Sequence, residues 1–123
     1  ANWSDLAERY ESDEIYESGT VLSIGGEKEV TIYKNSLPYA GVVSDKPGLR
    51  MNDGTEQREN ENMLFICLKG RIPVKIKGKC KKGDYIIAQE GGVGKADIYD
   101  PHKHDLIGIA LTDSNNGLTE VKV

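Results

Sequence analysis

The chain has 123 residues, 16 of them basic and 20 acidic, and a formal net charge of −4, a size that fits one ordinary domain with a modest core. Charged residues make up 29% and hydrophobic ones 37%, and no apolar run approaches the ~18 residues that a membrane-spanning helix requires. A sequence pI of about 5.2 argues against a nucleic-acid-binding domain, and two cysteines are too few for a disulfide framework.

The opening stretch, "ANWSDLAERYESDE", carries neither the basic nor the apolar region of a signal peptide. Lacking an initiator Met, it is expected to begin a fragment or a processed product. Within it, "SDLAERYES" is the one helical candidate, with Ser4 placed to cap a turn or two. Residues 1–17 hold Asp5, Glu8, Glu11, Asp13, Glu14 and Glu17 against Arg9 alone. Residues 1–18 therefore read as an acidic arm and 19–123 as the domain proper.

From residue 19 onward, short β-type runs recur: "GTVLSIGG", "EVTIY", "YAGVVS", "MLFICLKG", "RIPVKIKG", "DYIIAQ", "LIGIALT" and "LTEVKV". Most are bounded by Gly, Asn, Asp or Pro, which is strand-and-turn punctuation. Fourteen Gly against one Phe and one Trp imply many turns and little aromatic core. The expected fold is all-β, a small glycine-rich barrel or sandwich behind a short N-terminal acidic arm with one candidate helical turn. "AGVVS" and "LFICL" are apolar on both faces, as in strands covered on both sides. Gly19, Gly41, Gly70, Gly78, Gly83 and Gly108 mark places of positive φ or close backbone approach. The polar segment "NDGTEQRENEN" (52–62) reads as an exposed loop. Cys67, inside "LFICL", reads as a buried small apolar residue, whereas Cys80 lies among lysines that would lower its pKa if it were exposed.

Residues 69–82, "KGRIPVKIKGKCKK", concentrate seven positive charges in fourteen residues. Ile72, Val74 and Ile76 alternate with Arg71, Pro73, Lys75 and Lys77, the period of 2 that gives a strand one buried and one wet face. Pro73 needs a position without a ladder donor, which points to an edge strand. No aromatic residues interleave with the lysines, so a solvated strand face is the better reading than a nucleic-acid grip. Two alternatives remain for its charge: attraction to the acidic arm, within a chain or between copies, or two independently solvated surfaces.

Further along, "GGVGKADIY" (91–99) lacks the spacing of a phosphate-binding loop. "DPHKHD" is the one metal-like cluster: on an extended segment His102 and His104 would point the same way, but Pro101 marks a turn, and a solvated loop is the preferred reading. Ser4 beside Asp5 and Ser44 beside Asp45 read as cap or turn residues rather than nucleophiles. No catalytic residue, cofactor or resident metal is expected.

Taken in order, "DLAERYESDEIYESGTVLSIGGEKEVTI", "YAGVVSDKPGLRMN", "LKGRIPVKIKGKCKKGDYI" and "IGIALTDSNNGLTEVKV" resemble the C-terminal domain of tailed-bacteriophage tail fibres and related virion proteins. The likeness runs from Asp5 to Val123 and lies in the order and spacing of the motifs rather than in any one of them. The strand, "GD" turn and "IG-AL" strand also look like head-decoration barrels. "DLAERYE" and "AGVVS" are more distantly similar to appendage chaperone domains that cleave themselves off after trimer assembly. The resemblance implies a non-enzymatic virion module, assembled in the host cytoplasm as a homotrimer. Its partners would be other phage structural proteins and a host surface receptor, with no nucleic acid and no membrane insertion. Trp3, Tyr10 and Tyr16 would dock on a neighbouring copy or pack on the chain's own barrel, and Arg71, Lys75 and Lys77 would join such an interface.

Overall fold

The computed structural model describes residues 5–45, 49–51 and 62–123, with side chains described outside 49–51. Among the described residues there are strands and no helix. The chain opens with β1 (Asp5–Ser12), β2 (Val21–Ile24), β3 (Val30–Ile32), β4 (Tyr39–Val43) and β5 (Leu49–Met51). The long β6 (Asn62–Lys75) follows, then β7 (Lys79–Cys80), β8 (Tyr85–Gln89) and β9 (Val93–Ala96). Last come β10 (Leu106–Ala110), β11 (Ser114–Asn115) and β12 (Leu118–Lys122).

Strand β1 pairs with β3, β3 with β2, β2 with β4, β4 with β6, and β6 returns to β1, closing a five-stranded barrel. β5 adds to β1 in parallel. The second half of β6 leaves the barrel and becomes the first strand of another sheet, β6-β12-β10-β8-β9. That sheet folds back on itself: the Lys77 N–H donates to the Gly94 carbonyl at 2.9 Å, next to an Ile76–Gly94 bridge. β7 and β11 form a separate two-stranded ribbon.

Strands β2, β4 and the first half of β6 are apolar on both faces because both faces are covered. Leu22, Val43 and Ile66 point into the barrel with Val30 and Leu64. Their neighbours Val21, Val42 and Cys67 point the other way, into a second core with Ile72, Val74, Ile86, Ile107 and Val121. Alternation by one residue thus feeds two cores from the same strands.

The turn of helix expected over "SDLAERYES" is not formed; Asp5–Ser12 is extended. β1 pairs with β6 along its whole length, from Asp5 opposite Gly70 to Ser12 opposite Asn62, and buries Asp5, Ala7 and Ser12. A full ladder of backbone bonds outweighs weak helical propensities. Instead of hanging as a free arm, residues 5–12 form a stave of the barrel.

"MLFICLKG" and "RIPVKIKG" form one strand instead of two, and Gly70 is the corner at which it passes from barrel to sheet, with φ +123°. Pro73 does not lie on a fully free edge, since β12 flanks it and Glu120 stands opposite. Gly70 and Val123 exchange both backbone bonds, and Ile76 N–H reaches the Gly117 carbonyl at 2.9 Å. Counting by twos between them puts Pro73 at a non-bonded position, where its missing N–H faces away from β12.

Candidate functional site

The basic stretch keeps its predicted alternation: Ile72, Val74 and Ile76 are buried and Arg71, Pro73 and Lys77 are exposed. Its cations are partly matched within the chain. The Arg71 guanidinium lies 3.4 Å from the Glu120 carboxylate on β12, and Lys75 forms an ion pair with Glu17. The Lys75–Glu17 contact joins the basic strand to the acidic N-terminal region inside one chain.

Trp3 and most of the "NDGTEQRENEN" segment (52–61) lie outside the described residues, as does Ser4. Tyr10 and Tyr16 pack beside the barrel core. The Tyr10 hydroxyl donates to Glu8, and this bond, followed by burial, pushes the phenol up to about 12. The Tyr16 hydroxyl donates to Asp13 Oδ1 at 2.9 Å, while Asp13 Oδ2 accepts from Thr31 at 2.7 Å. This three-residue bridge fixes the link between β1 and β2 against β3.

The histidine pair is not on an extended segment. Residues 101–103 form a turn in which Lys103 and His104 N–H groups donate to the Asp100 carbonyl at 3.0 and 2.9 Å. His104 Nδ1 accepts from the Asp100 N–H at 3.1 Å, and His102 stays exposed. The i and i+2 geometry that would aim both rings at one ion is therefore absent, and no group of three metal-type ligands forms among the described residues. "GGVGKADIY" supplies a two-glycine turn and β9.

Both cysteines are free and buried. The Cys67 thiol is pushed up to about 12, first by desolvation and then by the nearby Asp5 carboxylate, so it stays protonated and unreactive. Cys80 points away from its lysine neighbours, with its sulfur 3.5 Å from the Ser114 and Thr119 hydroxyls. Ser44 is buried after β4, its N–H bonded to the Phe65 carbonyl at 2.9 Å. A polar link with no local signature joins Tyr33 to Asp105: the buried phenol donates to Oδ2 at 2.7 Å across 72 residues of chain. Burial, then that bond, raises the Tyr33 pKa.

Among the described residues, two grooves are shaped to meet another molecule. One, of about 590 Å³, is lined by Lys79, Asp84, Tyr85, Asp97, Ile98 and Tyr99. The Tyr85 and Tyr99 rings lie 6.1 Å apart, tilted by 43°. Asp84 and Asp97 are each held by one backbone N–H, from Lys81 and Ile98, at 2.8 and 2.7 Å. The other, of about 450 Å³, has a Gly91–Gly92 floor, with Ile15, Tyr16, Glu17 and Lys75 around it.

A scan against protein-family models and a search of curated proteins find no match. Among solved structures, the chain is similar to the pre-mature gene product 12 of bacteriophage phi29, with a TM-score of 0.72 and 16% identity, over 100% of this chain and 22% of that one. It is also similar to the C-terminal fragment of phi29 gene product 12, with a TM-score of 0.69 and 16% identity, over 97% of this chain and 99% of that one. The chain thus spans only about a fifth of the pre-mature protein but nearly all of the fragment, and what it shares with both is the fold.

Proposed function

We propose that this chain is a C-terminal structural module of a bacteriophage virion appendage, a tail fibre or a similar protein, that assembles as a homotrimer and serves in tip capping and host attachment. The observation that carries this reading is the fit of almost the whole chain onto almost the whole C-terminal fragment of phi29 gene product 12. A module that matches a separately solved fragment end to end has the bounds of a domain able to fold by itself. Its partners are further copies of itself, neighbouring virion proteins and a receptor on the host surface. Light scattering on the purified chain tests the trimer. Comparing its binding to host cells and to capsids tests attachment, and binding to capsids alone would overturn a fibre role.

A second reading is an assembly chaperone that cleaves itself from the fibre once three chains have met. It is favoured by one observation: the same fold occurs within the gene product 12 structure described as pre-mature. Expressing the longer parent protein and weighing it by mass spectrometry separates the two. A parent that stays intact after folding supports the tip module, and one that falls into two defined pieces supports the chaperone.

A further inference from the structure

We infer that copies of this chain join head to tail, the exposed lip of the groove at one end of the β8–β9 hairpin seating in the groove at its other end. This rests on the homo-oligomeric reading above and adds to it the surfaces used.

The two grooves share no residue. The first gathers around Tyr85 and Asp97, whose backbones are bonded at the open end of the hairpin, and the second around Gly91, Gly92 and Val93 at its turn. Four residues of strand at roughly 3.3 Å each separate Val93 from Asp97, so the two sites stand about 13 Å apart along β9.

Each groove carries apolar side chains that a lone chain leaves wet. Ile98 is 85% exposed at the lip of the first, beside Tyr85 at 48%. On the next strand Ile109 is the register partner of Tyr85 and is also exposed, which widens the patch. In the second, Ile15 is 67% exposed. Leu118, at 61%, stands opposite Lys75 and extends that patch across β12.

Single exposed apolar residues are ordinary; two clusters on a small chain are not. A reciprocal two-fold pairing would also cover both and would close as a dimer, whereas the homotrimer proposed above requires a heterologous contact. A heterologous contact repeated around a ring covers both on every copy, and it needs two unlike surfaces that fit each other. Shape and charge supply the fit. Ile98 projects, whereas Gly91 and Gly92 keep the floor of the second groove free of side chains. Asp84 and Asp97 flank the projecting lip with Lys79, and Lys75 and Glu17 flank the receiving groove. Lys75 and Glu17 already pair with each other, so seating one on the other extends that pair into a network in which Lys75 also meets a lip carboxylate and Glu17 also meets Lys79.

The test uses the whole chain and two exposed positions, Ile98→Asp and Ile15→Asp, each checked for an unchanged circular dichroism spectrum and thermal midpoint. Either variant alone is expected to run as single chains in sedimentation, with association weakened at least about thirtyfold. Mixed one to one, they are expected to form pairs and stop there. The Ile98→Asp chain still offers an intact groove, the Ile15→Asp chain an intact lip, and neither can extend further. If the wild-type chain assembles and either variant assembles equally well, or if the mixture stays as single chains, the head-to-tail contact is wrong and only the homo-oligomeric reading survives. If the wild-type chain itself never associates, that reading falls and takes the contact with it.

Discussion

Replacing Gly108 with alanine should separate two strands that the structure holds unusually close. A Cβ built at Gly108 would sit 2.0 Å from the Lys122 carbonyl oxygen, 2.8 Å from its carbon and 2.9 Å from a Val121 methyl. The first two are backbone atoms and cannot swing aside, so β10 and β12 must part by roughly an ångström to restore ordinary contact. Their register pairs are Ile109 with Lys122 and Ala110 with Val121, followed by the 2.8 Å bond from Leu111 N–H to the Glu120 carbonyl. Losing two or three such bonds at about 1 kcal/mol each, with some residual crowding, gives about 3–5 kcal/mol. At roughly 4 °C per kcal/mol for a domain of this size, the thermal midpoint falls by about 12–20 °C. Thermal melts followed by circular dichroism measure the midpoint and urea titration the free energy, with Gly117→Ala as the control, since a Cβ there meets nothing within 4 Å. The control should change stability by no more than about 1 kcal/mol. A Gly108→Ala protein within about 1 kcal/mol of wild type would refute the β10–β12 register.

Neither cysteine should react with a thiol reagent in the folded protein at pH 8, and two should react per chain in denaturant; a fast-reacting native thiol would contradict the burial of Cys67 and Cys80. Stability should fall as pH rises above 10. The folded Tyr10 phenol titrates near 12 and that of Tyr33 is also raised, so the native state holds protons that the unfolded chain has released, and the stabilisation present below pH 10 is lost through that window. Chemical denaturation at pH 9 and pH 11 checks the sign. Lys75→Ala should cost no more than about 1 kcal/mol, and less at high salt, because its ion pair with Glu17 is solvated; a larger loss on denaturant titration would show that the pair holds the acidic segment in place.

The strands with oily alternation were legible: β2, β3, β4, β8, β10 and β12 each fall inside a run bounded by turn residues. β1 was not, because its buried positions are Asp5, Ala7 and Ser12, which give no apolar period, and its residues favour helix by themselves. Its downstream partners, β6 along its whole length with β5 and β3 beside it, make it a strand. β9 hid behind its glycines. Gly94 lies so close under Ile86, with 2.7 Å from a built Cβ to its methyl, that a side chain was never an option there. The histidine segment, read by preference as a solvated loop, turns for a local reason: the Asp100 backbone and side chain organise the turn that follows, and Asp100 Oδ1 accepts the His102 N–H at 2.9 Å. The Tyr33–Asp105 bond and the two grooves depend on which distant strands meet, information that no local pattern carries. Tyr16 and Lys75, picked out as surface residues able to meet a neighbour, do share a groove, though with Ile15 and the Gly91–Gly92 turn rather than with Arg71.

Because β6 belongs to the barrel in its first half and to the open sheet in its second, neither half can melt and leave the other whole. Detaching the barrel strips β6 of β1 and β4, and the strand that remains is the one on which β12 hangs. The two cores are therefore yoked by a single rod, and heating should yield one transition in place of two steps. Tension applied at either half is likewise borne along the same backbone, so the molecule resists as a whole until it gives way at once.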